Sequence, residues 1–164
     1  MEQKKFEKLT FIGKPFLQIA PNDGNGYFAA YQEVEESADF VGLDETNDLE
    51  RNRAGLVIFG PETFMYWQGM LYKGEADLPK GLMKYELPAS NAVVDEKNGN
   101  ESIFQLPLNL TIPTLLADIK QAGIEVPANL GLSEKPYVLN VLYPDKQKHV
   151  AAVYLGDVIE DVND

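Results

Sequence analysis

The chain has 164 residues, 45% of them hydrophobic, with no cysteine, one histidine and a formal net charge of −12. The lack of cysteine excludes disulfides, thiolate metal sites and a cysteine nucleophile, and a lone histidine excludes a multi-histidine centre, so no metal or other cofactor is expected. So acidic a chain repels phosphate backbones, and no apolar run approaches the roughly 18 residues of a membrane span, so neither direct nucleic-acid contact nor a membrane is expected. No hydrophobic segment follows Met1-Glu2-Gln3-Lys4-Lys5, so no secretion signal is expected and the protein reads as cytoplasmic. Eight phenylalanines, eight tyrosines and one tryptophan fit a single globular domain over 1–164.

In chain order, Lys5–Ala20 reads as a strand that Gly13 and Pro15 interrupt, as in a bulged or edge strand. The cluster Pro21 to Gly26 is a turn. Tyr27, Phe28, Tyr31 and Val34 then recur at helical spacing. From Glu33 to Glu50 there are eight acidic residues and no basic one. That stretch reads as a solvated helix face followed by an exposed loop. Leu56–Phe59 is a short strand closed by Gly60-Pro61, and Phe64–Tyr72 is a second. In the second strand Phe64, Tyr66, Gln68, Met70 and Tyr72 share one face, and Met65, Trp67 and Leu71 the other. Both faces are largely apolar, so the strand must be covered on both or must line something.

After a polar loop, Leu82–Asp95 is again β-like, with its alternation weakened around Pro88-Ala89-Ser90. Lys97–Asn100 reads as a turn and Ile103–Leu110 as an apolar linker. A helix is expected from an N-cap at Thr111, with Pro113 in its first turn and Gly123 as its stop. Ile112, Leu115, Leu116 and Ile119 form its stripe. Two final strands, Tyr137–Tyr143 and Val150–Leu155, flank a polar hairpin turn, and the tail Gly156–Asp164 is acidic. The order is strand, helix, strand, strand, repeated at about 4–80 and about 81–160 of the chain. The fold class is α+β.

The aromatic strand with Phe64, Tyr66 and Gly69, followed by Pro79, Gly81, Leu82, Tyr85, Leu87, Pro88 and Ala89, resembles the gyrase-inhibitor-like (GyrI-like) domain. This is also the effector-binding half of some AraC- and MerR-type regulators. The resemblance implies one antiparallel sheet built from two duplicated units, helices on one face, and a central ligand cleft. Nothing in the chain has the room or the basic residues for a helix-turn-helix, so it reads as a stand-alone member.

Other sequence signals are weak. Gly24-Asn25-Gly26 with Ala29 fits a dinucleotide-loop pattern, but Asp23 stands at the phosphate position and the turn reading is stronger. His149 falls in a predicted turn and reads as solvent-exposed. Glu62, in the turn beside the aromatic strand, is the best-placed acid for general acid–base work, and its plain reading is a surface turn residue.

Tyr66, Trp67, Tyr72, Tyr137, Tyr143 and Tyr154 all fall on predicted strands, and clustered aromatics with polar handles suit a flat or cationic organic molecule. The resemblance implies an acid on the penultimate strand, yet Tyr137–Tyr143 offers only Asn140, so the ligand is neutral or the acid comes from elsewhere, for instance Glu62. The expected ligand-binding set is Tyr31, Phe64, Tyr66, Trp67, Tyr137 and Asn140, and the expected partner is a small aromatic or amphipathic molecule. Two alternatives stand: a hydrolase of reactive small molecules in the same cleft, and an acidic module docking on a basic protein such as DNA gyrase.

Overall fold

A computed structural model describes residues 1–16, 27–75 and 77–156. Eight strands are laid out as β1 (Glu2–Phe6), β2 (Leu9–Phe16), β3 (Arg53–Phe59), β4 (Phe64–Tyr72), β5 (Met83–Leu87), β6 (Ser90–Asn98), β7 (Tyr137–Tyr143) and β8 (Lys148–Gly156). Three helices, α1 (Phe28–Glu35), α2 (Ala38–Gly42) and α3 (Leu108–Gln121), lie between them in sequence. The strands form one open sheet in the order β1-β6-β8-β7-β3-β4-β2-β5. Every neighbouring pair is antiparallel. The class is α+β. The dinucleotide-like pattern at 24–26, the turn cluster before it and the acidic tail from 157 lie outside the described residues.

Two stretches that read as single strands are each two. Lys5–Ala20 breaks at Glu7-Lys8, and its pieces part: β1 pairs with β6 and β2 with β4 and β5. Leu82–Asp95 breaks at Pro88-Ala89 in the same way, sending β5 to one edge and β6 toward the other. A proline has no N–H for a ladder, so Pro88 is a natural break, but no local signal tells how far apart the pieces go. Pro15 is tolerated because β5 pairs with β2 only as far as Gly13, leaving Pro15 with a strand neighbour on one side. Gly13 and Gly69 face each other across β2 and β4, where a Cβ on Gly69 would sit 2.0 Å from the Ile12 carbonyl oxygen. Only glycine admits that approach.

Glu33–Glu50 is more ordered than a solvated face and loop. Ser37 caps α2 by accepting the Phe40 N–H, and Phe40 and Leu43 are buried. The helix α3 begins four residues earlier than expected, at Leu108, so Pro113 lies inside it rather than in its first turn. Its ring is on the exposed side, where the missing hydrogen bond is cheapest. The stop at Gly123 is as expected: φ is +82°, and the Ile124 N–H returns to the Ile119 carbonyl.

The helices cover one face of the sheet. Ile112, Ile119, Val57, Val138 and Val153 pack there, as do Phe40, Val34, Ile12 and Met70. The other face carries a cluster drawn from the strands, with Leu49 from a loop, and among the described residues no helix covers it. It is nevertheless dry because the sheet curls. Strands β5 and β7 are four steps apart, about 19 Å in a flat sheet. The rings of Tyr85 and Tyr137 are 5.9 Å apart and their hydroxyls bond at 3.0 Å. The helix-free face is therefore concave.

At the start of β3, Arg53 is buried and holds the acidic segment down. Its guanidinium donates to both oxygens of Asp44 at 2.7 Å and to Glu35, and lies 5.0 Å over the Phe40 ring. Burial alone would lower the Arg53 pKa, but the bonds and charges of Asp44 and Glu35 outweigh it and hold it above its usual value. Arg53→Ala strands two carboxylates beside a dry core and should cost about 3–5 kcal/mol in urea unfolding, whereas Arg51→Ala on the exposed rim should cost less than about 1 kcal/mol.

Candidate functional site

Strand alternation distributes the candidate residues between two compartments. On the concave face the rings form an unbroken chain of edge contacts: Phe11, Trp67, Tyr85, Tyr137, Tyr154, Phe6. The centroid separations along it are 6.3, 5.6, 5.9, 5.5 and 5.7 Å. Each ring turns its edge toward the face of the next, the arrangement that the ring quadrupole favours.

The polar handles within this wall are unequally satisfied. The Trp67 N–H donates to the Met65 sulfur at 3.2 Å, and Tyr85 and Tyr137 bond each other. The Tyr154 hydroxyl, by contrast, is buried with no hydrogen-bond partner among the described residues. Burial raises the pKa of Tyr154 and of Tyr85, so both are neutral phenols at any physiological pH. The charged side chains of this face stand at its margin in pairs, Lys148 with Glu96 beside Tyr143 and Val150, and Lys4 with Glu2.

On the helix-covered face a cavity of about 510 Å³ opens between α3 and the strands β3, β4 and β6–β8. Its floor includes Gly55, Val138, Asn140, Ala151 and His149, and α3 supplies Thr111, Leu115 and Asp118. The volume falls in the usual range for small-molecule sites. At Gly55 a Cβ would meet the Tyr66 hydroxyl at 2.5 Å, so the glycine leaves room for the Tyr66 ring to lie across β3. That hydroxyl, fully desolvated with its pKa raised, donates to the Gln68 side chain. The Tyr27 ring stacks on Tyr66 at 4.1 Å.

The expected set is thus divided. Tyr66 and Asn140 line the cavity. Trp67 and Tyr137 are on the concave wall. Phe64 is 37% exposed at the start of β4, edge-on to Tyr27. Tyr31 stacks between Phe28 and Phe104 beside the cavity. Glu62 is exposed in the β3–β4 turn, and neither the wall nor the cavity includes it.

The residue that sequence reasoning misplaced is His149. Strand β8 begins at Lys148, so His149 is a strand residue on the parity of Ala151 and Val153, not a solvent-exposed turn residue. Its Nε2–H donates to Asn140 Oδ1 at 2.9 Å. Extending the alternation of Val150–Leu155 back by two residues would have found it. Among the described residues no cluster of three or more His, Cys, Asp or Glu could hold a metal ion, and no helix is long and apolar enough to cross a membrane.

No protein-family model matches the chain, and no curated protein matches it. Solved structures do. The protein SAV2435, determined bound to tetraphenylphosphonium, superposes with a TM-score of 0.66 at 14% identity, over 95% of this chain and 93% of that one. A Staphylococcus aureus protein described as a bacterial transcription regulator superposes at 0.62 with 15% identity, over 94% and 97%. EcmrR, determined in a DNA complex, superposes at 0.52 with 8% identity, over 96% of this chain and 57% of EcmrR. At these identities the likeness is one of fold.

Burial, reinforced by the nearby Lys97 charge, lowers the His149 pKa, with Asp95 pulling the other way. The folded value therefore lies below the unfolded value of about 6.5. The unfolded chain binds the proton first as pH falls, so His149 lowers stability progressively below about pH 6.5 and has no such effect above it. Melting temperatures followed from about pH 8 to about pH 5 should decline more steeply for the native protein than for His149→Gln. Parallel curves would contradict the burial assigned to the ring.

Proposed function

We propose that this chain is a small-molecule-binding domain of the gyrase-inhibitor-like type, taking an aromatic or amphipathic compound against its concave face. The observation that carries this reading is the wall of edge-to-face rings around a buried, unpartnered Tyr154 hydroxyl. A purely structural core gains nothing from an orphaned hydroxyl, which costs about 1–3 kcal/mol when left dry. A ligand acceptor or donor reaching it would recover that loss.

The fold neighbours support the reading. One was determined with a large aromatic cation bound, and another is described as a transcription regulator. The strand order supports duplicated units at about 4–80 and about 81–160. It is unchanged when read from the opposite edge with β1 exchanged for β5, β2 for β6, β3 for β7 and β4 for β8.

The charges on this face are paired at its margin, Lys4 with Glu2 and Lys148 with Glu96, so the rings set the charge preference, and their negative faces favour a cation. The hydrolase reading named Glu62 as its acid, and Glu62 is an exposed turn residue outside the wall. The acidic docking surface is smaller than its sequence suggests, because Glu35 and Asp44 already serve Arg53.

Two measurements test the proposal. Trp67 emission should be quenched saturably by tetraphenylphosphonium and little by tetraphenylborate, which matches it in size and opposes it in charge. Indifference of Trp67 to both ions would falsify the concave site. Tyr154→Phe should raise stability by about 1 kcal/mol by removing an unsatisfied buried polar group, while weakening ligand binding severalfold. A variant that is more stable and binds equally well would make the hydroxyl irrelevant to recognition.

A further inference from the structure

The indole N–H of Trp67 is a buried donor with a poor acceptor. The residue is 5% exposed, and its hydrogen is given to the Met65 sulfur at 3.2 Å. An indole carries one hydrogen, and a thioether sulfur is a weak acceptor, so the bond satisfies the ring only in part. Met65 itself is reached by solvent. It is 36% exposed and second in β4, and β2 pairs with β4 only as far as Tyr66. Among the described residues Met65 therefore has a strand neighbour on one side alone, Ile58 of β3.

The four methionines differ in both respects. Met70 is fully buried under the helices, where a peroxide does not reach, although Asn47 bonds its sulfur at 3.7 Å. Met1 and Met83 are 45% and 51% exposed, but neither sulfur meets a donor among the described residues. Met65 alone joins an accessible sulfur to a donor that its own oxidation would serve. A sulfoxide oxygen carries most of the charge of the S–O bond and is a far stronger acceptor than the sulfide. Oxidation therefore replaces the weak bond of Trp67 by a strong one.

We propose that Met65 is a reversible oxidation site for hydroperoxides, read out by Trp67. A lone pair of the sulfur attacks the terminal peroxide oxygen, and the S–O bond forms as the O–O bond breaks. The sulfur loses two electrons, and the hydrogen of the transferred oxygen passes to the leaving oxygen, so hydrogen peroxide departs as water. Reversal takes two thiols, which become a disulfide while the oxygen leaves as water. The chain has no cysteine, so those thiols come from a thiol-dependent sulfoxide reductase. The Trp67 N–H turns to the new oxygen, and a polar group then stands at the end of the aromatic wall. The site rests on the Trp67–Met65 bond and not on the function proposed above.

The test treats the full chain, labelled with ¹⁵N, with dilute hydrogen peroxide and follows each methionine by peptide mass spectrometry. The chain has one tryptophan, so one indole N–H resonance reports on the bond. Met65 should be oxidised at least about tenfold faster than buried Met70, and the indole resonance should move downfield in proportion to Met65 sulfoxide. Two sulfoxide reductases, one for each epimer, should restore it in the presence of dithiothreitol. Met65→Leu should hold the resonance in place under peroxide, and Met83→Leu should leave the response intact. Met65→Gln, whose amide oxygen stands in for that of the sulfoxide, should move the resonance downfield without peroxide.

Oxidation of Met65 no faster than that of Met70 overturns the proposal, as does Met65 sulfoxide with an unmoved indole resonance. A shift that persists in Met65→Leu overturns it too, because the signal then comes from Met1 or Met83. Met65→Leu exchanges one partly exposed apolar residue for another of similar size, so the fold is kept and these outcomes stay readable.

Discussion

Strand β4 has water on neither side, and the rest of the molecule follows from that. From Tyr66 onward each of its residues is buried. A strand turns successive side chains to opposite faces, so Tyr66, Gln68, Met70 and Tyr72 must be covered by helices while Trp67 and Leu71 need a second cover. Helices α1, α2 and α3 supply the first. The sheet supplies the second by curling until β5 reaches over β7. The glycine pair Gly13 and Gly69, with backbones in contact where β2 meets β4, lies on the path of that curl.

The same constraint creates two chemically different compartments. The centre of the concave side receives rings, and its charges are kept to the margin as pairs, Lys4 with Glu2 and Lys148 with Glu96. The helix side is less uniform. Near α1 and α2 it is closed by Phe40 and by the Arg53 cluster, whose charges neutralise one another. Near α3 it is looser, and polar groups such as Asn140, His149 and Asp118 are tolerated because the space beside them is open to solvent.

The fold neighbours differ greatly from this chain in sequence, at 8% to 15% identity, yet align over at least 94% of it. What they share is the fold. Side chains on the two faces are free to vary so long as the alternation of buried and covered positions is kept. The side-chain chemistry of the two faces is accordingly particular to this chain, as at Tyr154 and Asn140.

By itself the sequence determined most elements and the faces within them. The alternation in Phe64–Tyr72 separates Tyr66 from Trp67, and Tyr137–Tyr143 is a strand of the length observed. The Gly123 stop, the absence of cysteine chemistry and the α+β class were equally legible, because each depends on residues close together in the chain. Only the tertiary structure decided which strands are neighbours. The separation of β1 from β2 and of β5 from β6 shows this: a two-residue break looks the same whether the chain turns back in a hairpin or crosses to another part of the sheet. Only the curl brings Tyr85 to Tyr137, 52 residues away. His149 meets Asn140 only through the β7–β8 register, and Arg53 meets Asp44 only because α2 folds back on β3. These contacts are long-range pairings, which local propensity does not encode and which the burial of both faces of β4 enforces.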